Sequence, residues 1–232
     1  ELVYALNLLG TAITARSRSG SSATEFLSSF SQWLQSQINQ GPMLFSASFR
    51  ANGNLLSQWR GYSNHGKGVS LGFNHEAIQS LAVAQNFYLG QCLYDSQEQH
   101  DLAYEIVDCL ISMHQEGEDR SAIFHGIEAD LMIICALLKH PSFAEEQEWR
   151  LISPTFTSTA DAPIAFREGK AMLVPYYLFD LELDRVIKLD HVFVGPTPNA
   201  ALSVNSLMHY LTNKNARPEK GISDSEIPYR PR

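Results

Sequence analysis

Between residues 145 and 150 the chain reads EEQEWR, with three carboxylates, an indole and a guanidinium following the apolar run LMIICALLK and the link HPSFA. Spacing decides what such charges can do. In an extended strand, Glu146, Glu148 and Arg150 project to one face while Gln147, Trp149 and Leu151 project to the other. Like charges on one face raise the pKa of one carboxylate, and Arg150 moderates that repulsion, so the face suits acid–base or electrostatic chemistry. In a helix, Glu146 and Arg150 would instead form an ordinary i,i+4 ion pair worth only ~0.2–0.5 kcal/mol. The residues of EWRLIS have strand character, and Ser142 with Glu145 has the spacing of a capping box that opens a short helical turn before it. The alternation predicts a buried Trp149 and a less buried Arg150.

A second polar face lies upstream. MLFSASF alternates Met43, Phe45, Ala47 and Phe49 with Leu44, Ser46 and Ser48, a strand period that places Ser46 and Ser48 on the same side. NLLSQWRGY then reads as a short helix carrying Trp59, Arg60 and Tyr62. SNHGKG supplies turn chemistry, with His65, Gly66 and Lys67 as turn residues, and VSLGF is a strand expected to pair with the first.

These residues must be positioned by the rest of the chain. ELVYALNLLG has the apolar spacing of a helix entered part-way along. Ser22 and Glu25 form a capping box before a helix that runs to about Ile38, with Phe26, Leu27, Phe30, Trp33, Leu34 and Ile38 on its apolar face. HEAIQSLAVAQ reads as a helix and NFYLGQCLY as a strand. Residues 97–116 and 119–139 carry helical spacing on either side of EGEDR. The second of these is the most apolar helix and is expected to lie across the sheet, with His140 capping its C-terminus. KAMLVPYYLFDLE and DRVIKLDHVFVG read as strands, and residues 200–211 as a closing helix. Residues 211–226 resemble a loose tail within a partly ordered segment 211–232, with Tyr229 and Arg230 as docked residues. The fold class is α+β, a single domain over residues 1–232 with a mixed or antiparallel sheet flanked by helices.

Composition bounds the function. The chain has 232 residues, is 44% hydrophobic, and carries 17 basic against 25 acidic residues for a formal charge of -8. That supports a substantial core and argues against a broad basic face gripping nucleic acid. Cys92, Cys109 and Cys135 lack metal-site spacing and read as reduced thiols, so no metal is expected. No apolar run has the length of a membrane span and no signal segment opens the sequence, which predicts a cytoplasmic protein without membrane contact.

LFSASFRANGNLLSQWRGYSNHGKGVSLGF, KHPSFAEEQEWRLI, VFVGPTP and SEIPYR resemble, in order, the hallmark blocks of the bacterial family catalogued as domain of unknown function 2971. The resemblance implies an N-terminal Tyr-His-Tyr-Thr-like strand and an Asn-Asp-Pro-x-Glu turn ending at Glu1-Leu2, so the first strand of the family is expected to precede this sequence. A His/Tyr strand, a Ser-x-Ser strand and a Glu-x-Glu strand together resemble the three-part site of ADP-ribosyltransferases. Here Ser46-Ala47-Ser48 and Glu146-Gln147-Glu148 match the second and third parts.

That likeness implies an ADP-ribosyltransferase-like enzyme of bacterial defence that consumes NAD as a substrate. Glu148 stabilises an oxocarbenium-like ribose and Glu146 orients or deprotonates the acceptor. Ser46 or Ser48 hydrogen-bonds Glu148, Trp59 or Tyr62 stacks on nicotinamide or a base, and Arg60 meets the pyrophosphate. Trp59 and Trp149 also fit the role of core aromatics. Two other classes fit the same residues. One is a binding or sensor module of a bacterial defence system, with a protein or nucleotide ligand and the Glu-Glu-Arg row as an internal ion network. The other is a metal-dependent nuclease using Glu146 and Glu148 with Asp130 or Asp161.

Overall fold

The computed structural model describes residues 2–18, 23–63, 68–158, 163–183 and 185–227. Ser22 of the first capping box, His65, Gly66 and Lys67 of the turn, Asp161, and Tyr229 with Arg230 lie outside the described residues. The helices are α1 (Leu2–Arg18), α2 (Thr24–Gln40), α3 (Leu56–Tyr62), α4 (His75–Ala84), α5 (Ser96–Gln115), α6 (Arg120–Leu137) and α7 (Ala200–Asn213), with a 3-10 helix at Pro141–Glu146. The strands begin with β1 (Ser46–Arg50), β2 (Val69–Leu71), β3 (Tyr88–Gln91) and β4 (Glu148–Ile152). They continue with β5 (Ala165–Glu168), β6 (Leu173–Tyr176), β7 (Glu182–Leu183), β8 (Val186–Leu189), β9 (Val192–Val194), β10 (Ala216–Pro218) and β11 (Ile222–Asp224). The chain is α+β and divides into two compact units, Glu1–Phe49 with Phe87–Tyr177, and Arg50–Asn86 with Leu178–Arg232.

The first unit is built on four helices. Leu9 of α1, Phe26, Leu27 and Phe30 of α2, Val107 and Leu110 of α5, and Ile123 and Cys135 of α6 are fully buried in one apolar cluster. Phe30, Trp33 and Phe124 meet with ring centroids 5.4–5.6 Å apart, a spacing that aromatic pairs favour. The charged break before α6 has a local purpose, since the Asp119 carboxylate accepts from the amides of Ser121 and Ala122 and fixes where that helix begins. Asp95 does the same for α5 through Gln97 and Glu98.

Beside the helices lies a three-stranded sheet in the order β1-β4-β3. β3 and β4 are antiparallel, with Gly90 opposite Arg150 and Gln91 opposite Trp149. The expectation that α6 lies across the sheet needs correction. It packs along α1, α2 and α5 and reaches the sheet at its C-terminal end, where Leu137 sits over Gly90 and Leu138 bridges Leu93. Its buried residues Ile123, Phe124, Leu131, Met132 and Cys135 form a broad apolar stripe, with His125, Ala129 and Asp130 exposed, and three helical neighbours bury such a stripe better than one sheet face does. β5 and β6 form a separate antiparallel hairpin.

The second unit holds two small mixed sheets, β10-β8-β7 and β11-β9-β2. The expected pairing of VSLGF with the first strand is not found: β2 pairs antiparallel with β9, with Ser70 opposite Phe193. Adjacency in sequence misled here because α3 intervenes and places the two strands in different sheets. The segment 211–226 is not a loose tail. It completes α7 and supplies β10 and β11, which run parallel to β8 and β9. Such parallel pairing joins segments distant in sequence and leaves little local signal.

Candidate functional site

β4 opens with Glu148, whose amide donates to the Tyr94 hydroxyl at 3.0 Å and whose carbonyl accepts from the Cys92 amide at 2.9 Å. The strand starts here because Gln147 takes a left-handed conformation, φ 41°, and breaks the 3-10 helix that precedes it. As a result Glu146 belongs to the 3-10 helix while Glu148 and Arg150 share one strand face. The row of three on a single strand is therefore corrected to a row of two, with Glu146 brought alongside from the preceding turn. The turn is capped by His140, whose Nδ1 accepts from the Ser142 amide, rather than by Ser142. Because it opens the 3-10 helix, His140 does not have the expected role of closing α6.

Four charged groups meet on this face. Arg150 donates from Nε to Glu148 Oε1 at 2.8 Å, and its Nη1 donates to the Ala136 carbonyl in the last turn of α6, where helical carbonyls lack internal partners. Lys139 Nζ donates to Glu146 Oε2 and to Glu148 Oε2. From β1, the Ser48 hydroxyl donates to Glu148 Oε1. Two positive and two negative charges are thus gathered with both Glu148 oxygens engaged.

The burial of this face reverses the prediction made from alternation. Glu148 is 1% exposed and Arg150 4%, whereas Trp149 is half-buried. Alternation correctly puts Trp149 and Arg150 on opposite faces, but the C-terminal end of α6 and Lys139 beyond it cover the charged one. Such a face can be buried because its charges are mutually paired and hydrogen-bonded. Burial by itself would push the Glu148 carboxyl up; hydrogen bonds from Arg150, Lys139 and Ser48 overcome it and hold the pKa down at about 2. Burial likewise opposes the charge on Lys139, and its bonds to Glu146 and Glu148 nonetheless raise its pKa. Burial raises the Tyr94 phenol, which keeps its proton.

Lys139 is held in turn. Its amide donates to the Leu93 carbonyl at 3.1 Å, and its carbonyl accepts from the fully buried Gln99 Nε2 at 2.8 Å. Gln99 also donates to Leu93 and receives the Tyr4 hydroxyl. Sequence reasoning missed Lys139, Tyr94 and Gln99. Lys139 had a usable signal, as the basic residue that closes the apolar run LMIICALLK, followed seven and nine residues later by carboxylates. Gln99 had none, because it lies among the charged residues of α5.

The remaining candidates divide between the units. Ser46 is exposed on β1, while Ser48 makes the expected bond. Trp59, Arg60 and Tyr62 belong to α3 in the second unit. Trp59 is buried with its indole N–H on Asn54 Oδ1 at 2.9 Å, so its reading as a stacking platform is corrected to that of a core aromatic. Arg60 and Tyr62 are exposed. Asp130 is exposed on α6, and Lys139 occupies the space between Glu146 and Glu148 that the nuclease reading gave to a metal.

Residues 58–151 match the family model described as Protein of unknown function (DUF2971). The resemblance to this family read from the sequence is borne out over those residues; the blocks VFVGPTP and SEIPYR lie outside the match. The DUF2971 match runs from α3 to β4 and includes Tyr94, Lys139, Glu146, Glu148 and Arg150, with Ser48 upstream of it. No curated protein and no solved structure matches the chain. Among the described residues, no helix is long and apolar enough to cross a membrane.

Proposed function

We propose that the protein is an ADP-ribosyltransferase-like enzyme that consumes NAD, with Glu148 as its central carboxylate. The observation that carries this reading is the Ser48 hydroxyl on Glu148, a contact between adjacent strands of one sheet. A carboxylate with a pKa of about 2 is fully ionised at neutral pH, the state needed beside an oxocarbenium-like ribose. Glu146, on the more accessible side of Lys139, is the candidate for orienting or deprotonating an acceptor.

Nicotinamide release from NAD, measured with DNA, RNA and protein acceptors, tests this. The parent should release nicotinamide with one acceptor class, and Glu148→Gln should lower the rate by ~10²–10³. Equal rates, or no release by the parent with any acceptor, would overturn the reading.

The enclosure of Glu148 supports a second reading, a binding or sensor module of a bacterial defence system. In that case the charged cluster is an internal strut. Its expected signature is a folded parent without NAD turnover in which Glu148→Gln changes stability.

A further inference from the structure

We infer that the 3-10 helix Pro141–Glu146 is a lid over the Lys139–Glu148 pair, latched by Glu146 and opening while β4 stays formed. This deepens the transferase reading, since a carboxylate that is 1% exposed must be uncovered before a ribose reaches it.

Three observations point to a separately opening segment. None of its six residues is buried, so it lacks the apolar anchoring that makes a segment open only with the whole fold. Its inner surface faces the cluster: Glu146 accepts from Lys139 Nζ, and the Phe143 ring lies 5.3 Å from the same ammonium while remaining 49% exposed. It also ends at conformational boundaries, with Pro141 at one side and left-handed Gln147 at the other. A non-glycine residue held in that region carries strain, which leaving the closed turn relieves.

The parts below the lid are fixed differently. Lys139 is anchored through its backbone to Leu93 and Gln99, and Glu148 is in the β3–β4 ladder with further bonds from Arg150 and Ser48. Opening therefore withdraws Glu146 and Phe143 to admit the ribose while leaving Lys139 and Glu148 in place, and closing again returns Glu146 to the acceptor side. The Lys139 ammonium and the Glu148 Oε2 edge become the newly accessible groups.

Amide hydrogen exchange on the whole protein, resolved by residue, provides the test. The amides of Phe143 and Gln147, bonded to the carbonyls of His140 and Ala144, should exchange much faster than those of Arg150–Ile152. Glu146→Gln should accelerate the first pair about two- to fivefold, the range for losing a partly exposed ion pair, and leave β4 unchanged. Phe143→Ala should act in the same direction without altering a charge. Protection of the lid amides equal to that of β4, or equal acceleration of both segments in the variants, would overturn the lid. Nicotinamide release on the same proteins separates the two ideas: a lid that opens in a parent with no NAD turnover leaves the lid standing and removes the transferase reading.

Discussion

Lys139 and Ser48 both bond Glu148, but removing them has different costs. Lys139→Met leaves Arg150 as the remaining cation of a cluster with two carboxylates, and breaking such a buried pair costs about 3–5 kcal/mol. Ser48→Ala removes one hydroxyl while Arg150 and Lys139 remain, so about 1–3 kcal/mol is expected. Urea unfolding of the two variants checks the order, and a Ser48 variant less stable than the Lys139 variant would contradict it. The sequence showed that Glu148 and Arg150 share a face, since the strand period requires it. Lys139 was not legible as their partner, because its approach depends on how the end of α6 meets β4.

At the scale of elements, most helices and strands were legible, including α5, α6 and β4, because apolar spacing and alternation act over consecutive residues. Which face of β4 is buried was not. Alternation assigns Trp149 and Arg150 to opposite sides, but only the approach of the α6 end and Lys139 determines which side is covered. The pairing of β2 with β9 and the parallel strands β10 and β11 were missed for the same reason, as their partners are remote in sequence. Gly90 shows how close the helix and sheet come. A Cβ there would lie 3.0 Å from Leu137 Cδ1, so Gly90→Val should destabilise by about 1–3 kcal/mol. Gly10 on α1 has open space around it, and Gly10→Ala should stabilise by about 0.4–1 kcal/mol. Thermal midpoints moving in opposite directions would support this packing; a tolerated Gly90→Val would place α6 farther from β3.

For the whole molecule, the buried cluster makes stability depend on pH at both extremes. The Glu148 pKa is lowered from 4.5 to about 2, so its contribution is present above the unfolded value and is lost as pH falls through that interval. A shift of this size corresponds to on the order of 3 kcal/mol. Lys139 is raised above 10.5, so its contribution is complete below that value and is lost as pH rises through the folded one. Both Glu148 readings, catalytic and structural, depend on the same enclosure by Ser48, Lys139 and Arg150. The direct measurement is an NMR titration of the Glu148 side-chain carboxyl in the folded protein: a midpoint near pH 2 is predicted, whereas titration near the ordinary 4.5 would contradict the enclosure.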